Sequence, residues 1–143
     1  MSDSMMVFVE GSKLPTVEEL RNEVKSMGLD LEACDEELIN IEGFWPGKIR
    51  NEEAGFELFI DKLEAEDLED WELDEKDLGG RDYGVDLAFH SELDVEATVI
   101  CIVALCKLSN AIAFNEDEEL KVNAENCIQW AKEEMGYDLA PQS

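Results

Sequence analysis

The sequence predicts one α+β domain spanning residues 1–143, a sandwich of a mixed or antiparallel sheet of about five strands with about three helices. Three observations carry this. Short apolar or alternating stretches recur at Met5–Val9, Leu38–Trp45, Phe56–Ile60, Tyr83–Phe89 and Ala111–Phe114. Two segments, Thr16–Met27 and Asn123–Met135, pair helix-start residues with apolar residues at helical spacing. One long run, Val95–Leu108, is apolar on nearly every side.

Met5–Val9 suits a first strand, and Gly11-Ser12-Lys13 a turn. Thr16 with Glu19 three residues later makes a capping box, after which Leu20, Val24 and Met27 share a helical face and Gly28 stops it. Leu38–Trp45 reads as a strand interrupted by Pro46-Gly47, with Lys48–Arg50 as a continuation. Asn51–Gly55 then reads as a hairpin connection into a strand at Phe56–Ile60. Asp61–Asp77 is strongly acidic and ends at Gly79-Gly80, and Tyr83–Phe89 alternates as a further strand. Ser91 with Asp94 starts the run Val95–Leu108, whose length favours a buried helix over a strand. Ala111–Phe114 is a short strand and Asn115–Glu119 an acidic turn. Asn123 caps a last helix that carries Cys127, Ile128, Ala131 and Met135 on one face. The order of elements suggests a variant of the ferredoxin-like (split βαβ) plan.

Charge limits the function classes. There are 37 acidic residues against 11 basic ones, a formal net charge of −26. Repulsion on that scale works against the compact state and must be offset by a good core. With 45% hydrophobic residues occurring in runs, such a core is affordable and disorder is not expected. Nucleic acid and anionic membranes both demand positive charge, so neither is expected as a partner. A basic protein is the partner that the charge favours, unless the acidity reflects a saline habitat.

The four cysteines, Cys34, Cys101, Cys106 and Cys127, have no metal-ligand or CxxC spacing. The N-terminal residues lack the basic region and long apolar run of a secretory signal. Both point to a reducing, cytoplasmic setting. No apolar stretch reaches the roughly 18 residues that span a bilayer.

No catalytic constellation emerges. His90 is the one histidine, and no serine or cysteine stands in a nucleophile setting beside it. Gly79-Gly80 and Gly84 do not form a phosphate loop. A calcium loop started at Asp70 would put Glu75 at the sixth position and Arg81 at the twelfth; one started at Asp61 would put Leu63 and Ala65 at ligand positions. No cofactor, metal or catalytic residue is therefore assigned, and the chain does not read as an enzyme.

The candidate contact surface is the acidic segment, with ten acids and two lysines in the seventeen residues Asp61–Asp77. Its candidate partner-binding residues are Glu64, Glu66, Asp67, Glu69, Asp70, Trp71, Glu72 and Asp74, with Trp71 as apolar anchor and Leu63, Leu68, Leu73 and Leu78 as further anchors. The competing account has the leucines and Trp71 packing on the core. Gly43–Gly47, with Phe44 and Trp45, is a second contact stretch unless both rings point inward. The composition resembles that of small acidic inhibitors such as bacterial immunity proteins and DNA mimics; it carries no particular residue with it. The expectation is a small acidic protein-binding module, an inhibitor or immunity-type protein that docks a basic partner. The alternatives are a carboxylate enzyme using a divalent metal and an acidic housekeeping subunit.

Overall fold

The computed structural model describes residues 3–64, 66, 78–114 and 121–135. They form an α+β domain in which every strand pairing is antiparallel. The strands are β1 (Asp3–Val9), β2 (Leu29–Leu31), β3 (Glu42–Ile49), β4 (Glu52–Lys62), β5 (Tyr83–Phe89), β6 (Ile112–Phe114) and β7 (Lys121–Val122). They lie in the order β2-β3-β4-β5-β1-β6-β7. Six have three residues or more and β7 has two, against the five expected. The split βαβ plan is not seen among these pairings: it needs a parallel pair, and β1 lies antiparallel to both its neighbours, β5 and β6.

Three helices share the core on one face of the sheet: α1 (Val17–Ser26), α2 (Glu92–Ser109) and α3 (Cys127–Met135). α1 begins with the expected capping box. Thr16 Oγ1 accepts from Glu19 N–H and Glu19 Oε1 from Thr16 N–H, both at 3.0 Å, and Gly28 follows at φ +103°. α2 starts where Ser91 Oγ accepts from Asp94 N–H and ends on Asn110 in the left-handed region. Ala97 to Cys106 are all buried, as a helix apolar all round requires. In α3, Cys127, Trp130 and Ala131 face the core, whereas Ile128, expected on that face, is exposed. Asn123 Oδ1 caps this helix through Glu125 and Asn126 N–H.

Two expected boundaries move. Leu38–Asn40 is a 3₁₀ turn, and β3 begins only at Glu42. β3 then runs straight through Pro46-Gly47. Pro46 O accepts from Glu32 N–H, so the hydrogen-bonding edge of this residue faces β2 rather than β4. Its missing N–H therefore falls beyond Leu31, the last residue of β2, and costs no ladder bond. The hairpin loop is not Asn51–Gly55 but Arg50-Asn51, at φ 52° and 67°, as a two-residue type I′ loop demands. Glu52–Gly55 belong to β4. Asn115–Glu119 lie outside the described residues.

The opposite sheet face carries a smaller cluster of Phe8, Ile112 and Leu78, flanked by Met6 and Leu63. Arg81 holds Leu78 in place. Its guanidinium donates to Leu78 O at 2.8 Å and to Asn110 O at 2.7 and 3.1 Å. No helix among the described residues is long and apolar enough to cross a membrane.

Candidate partner-binding surface

In an antiparallel sheet directly opposed residues share a face. Trp45 opposes Phe56 and Leu58 opposes Leu87, and all four are buried toward the helices. Trp45 and Phe56 meet edge to face with ring centroids 6.2 Å apart, and Trp45 Nε1 donates to Glu32 O at 3.0 Å. The residues between them must point the other way. Phe44 opposes Glu57, Glu42 opposes Phe59, and Phe59 opposes Asp86. Phe44 is 55% exposed and Phe59 38%. The outer face of β3–β5 thus presents two aromatic rings alternating with carboxylates.

Phe44 is held in place by what lies under it. A Cβ at Gly55 would stand 2.8 Å from Phe44 Cζ and would also strike Trp45 O, so the ring rests on bare backbone there. Gly55 N–H points beyond the paired part of β5, and Asp94 Oδ1 accepts from it at 3.0 Å. Asp94 Oδ2 takes His90 N–H at 3.4 Å. The first turn of α2 therefore fixes the segment of β4 on which the Phe44 ring rests. His90, after β5, lies 3.3 Å from Glu57 Oε2 through Nε2. Arg50, in the hairpin loop, pairs with Glu96 of α2 at 3.0 Å.

Beside Phe44 a cleft of about 650 Å³ opens between α1, β2 and the β3–β4 hairpin. Lys48 stands in it between its cross-strand neighbours Asp30 and Glu53. Arg21 reaches it from α1, its Nε donating to Leu31 O at 2.9 Å. Glu32 and Asp94 complete its acidic lining.

Of the residues expected to bind a partner, Glu64 and Glu66 are exposed just past the end of β4. Asp67, Glu69, Asp70, Trp71, Glu72 and Asp74 lie outside the described residues, as do Leu68 and Leu73. Leu78 is buried with Phe8 and Ile112, and Leu63 packs half-buried against the same cluster. In the Gly43–Gly47 stretch the two rings part company, Phe44 outward and Trp45 inward. Phe59 was not expected at the surface. The inward parity of Phe56, Leu58 and Ile60 carried that signal.

All four cysteines are free thiols. Burial pushes the Cys101 thiol up to about 12. Interaction between the thiols of Cys106 on α2 and Cys127 at the start of α3 lowers the Cys127 thiol and raises that of Cys106, whose burial pushes it the same way. No group of three or more His, Cys, Asp or Glu side chains among the described residues is arranged to hold a metal ion. No protein-family model, curated protein or solved structure matches the chain.

Proposed function

We propose that this chain is a small acidic protein-binding module, an inhibitor or immunity-type protein of the cytoplasm, and that it docks a basic protein on the outer face of β3–β5. The observation that carries the reading is the pair of exposed rings, Phe44 and Phe59, set on a sheet among Glu42, Glu57 and Asp86. Rings that are desolvated on binding supply affinity, while a surrounding rim of one charge sets encounter rate and partner choice. Because Glu64 and Glu66 lie exposed just past the end of β4, they extend the same negative field and steer the partner inward.

The test is capture from native lysate at low and moderate salt, comparing wild type with the Phe44→Ser/Phe59→Ser double variant, followed by carbodiimide cross-linking and mass spectrometry. The wild type should retain a basic protein cross-linked to carboxylates of β3–β5, and the double variant should lose it while remaining folded. Equal capture of the same protein by both chains would overturn the reading.

A further inference from the structure

We propose that the cleft beside Phe44 is a receptor for an arginine side chain of the basic partner; this rests on the docking face proposed above. A hollow of about 650 Å³ lies within the range of small-ligand sites, roughly 300–1,000 Å³, and exceeds what one long side chain fills. Phe44 stands at its edge with more than half its surface open. An aromatic face so placed attracts a cation, and a planar guanidinium stacks on it better than an ammonium does.

Three of the four acids in the lining, Asp30, Glu32 and Glu53, are available for such a guest. Both oxygens of Asp94 are engaged by backbone N–H groups of Gly55 and His90. Among the described residues no hydrogen bond or ion pair within 4.0 Å engages the carboxylates of Asp30, Glu32 or Glu53. Arg21 and Lys48 offer two positive charges against these four acids, and Arg21 is tied by Nε to Leu31 O. An anionic guest would meet the surplus of carboxylates here and the −26 field of the whole chain. A guanidinium gains from both, and its forked donors suit bidentate capture by Glu53 or Asp30.

The experiment uses the full chain, ¹⁵N-labelled, titrated at low salt with N-acetyl-arginine amide, N-acetyl-lysine amide and N-acetyl-citrulline amide. Citrulline keeps the shape of arginine and removes its charge. The arginine probe should shift amide resonances of Phe44, Trp45, Gly47, Lys48 and residues 53–55 saturably in the millimolar range. The lysine probe should bind at least threefold more weakly, and citrulline should leave the cleft unmoved. Phe44→Leu and Glu53→Gln, both at exposed positions, should each weaken the arginine probe at least threefold with the rest of the spectrum preserved. Absence of saturable shifts at the cleft, or equal responses to all three probes, overturns the inference. So does lysine binding as tightly as arginine. No partner enters this titration, so the two ideas fail separately. A silent cleft with ring-dependent capture removes the arginine site alone, and a responsive cleft with ring-independent capture removes the docking face alone.

Discussion

Asp94 should be worth more to this fold than a surface carboxylate, and replacing it separates two of its roles. Its Oδ1 accepts the Gly55 N–H at 3.0 Å in a part-buried setting where β5 no longer pairs with β4. Asp94→Ala leaves that donor without a partner, which costs about 1–3 kcal/mol. It also removes a negative charge from the first turn of α2, about 0.3–1 kcal/mol. The bond to His90 N–H, at 3.4 Å, is too long to add much. The expected loss is therefore about 2–3 kcal/mol. Asp94→Asn keeps an acceptor for Gly55 and loses the charge, so it should cost about 1 kcal/mol. Urea denaturation measures both, with unchanged m-values showing that the folded and unfolded states are otherwise alike. Hydrogen exchange at the Gly55 amide supplies a local readout, which should rise in the alanine variant and much less in the asparagine one. An alanine variant within about 0.5 kcal/mol of wild type, or equal losses in the two variants, would refute the idea that Asp94 stands in for a missing strand partner.

Leu105, 1% exposed near the C-terminal end of α2, should lose roughly 2–5 kcal/mol on truncation to Ala, read by the same denaturation; a loss below about 0.5 kcal/mol would exclude it from the core. The Cys101 thiol titrates at about 12 in the folded chain against an ordinary 9.0, so its contribution is complete below pH 9 and is lost as pH rises toward 12. Between pH 8 and pH 10 the stability of wild type relative to Cys101→Ala should therefore fall by about 1 kcal/mol, and a gap independent of pH would contradict the burial of this thiol. Four thiols should titrate after denaturation without reductant, in protein kept from air, whereas the native chain should expose Cys34 ahead of the three buried ones. Once a partner is in hand, Glu64→Lys with Glu66→Lys should slow association at low salt, with the effect fading as the screening length drops toward about 8 Å; an unchanged rate would remove the steering role of the segment.

Much of the local structure was legible because its signals are local. The capping box of Thr16 and Glu19, the Ser91 and Asn123 caps and the alternation of Tyr83–Phe89 each specify their element within a few residues, and all are found as expected. β2 was missed because Leu29-Asp30-Leu31 is too short to display a period. The hairpin was misplaced because its loop uses Arg50 and Asn51 at positive φ, without the Asn-Gly or Asp-Gly pair that usually marks such a turn. Pro46 reads as an interruption in any isolated strand. It is harmless here because β2 ends one residue short of needing its N–H, a fact that belongs to the sheet and not to the segment.

The same distinction governs the site. Net charge sums over the chain, and it drew attention to the densest acids, Asp61–Asp77, although charge density alone says nothing about where a partner finds apolar contact. That depends on parity. Adjacent aromatics in one strand cannot both face the core, so Phe44-Trp45 had to send one ring outward, and Trp45, opposed to Phe56, was fixed inward by the helices. The partner strand obeys the same rule: with Phe56, Leu58 and Ile60 inward, Phe59 had to emerge on the face that holds Phe44. An outer face with two exposed rings becomes visible only once the register joins β3 to β4. Register also places Glu42 opposite Phe59 and Glu57 opposite Phe44, which makes the acids part of the surface rather than a separate patch.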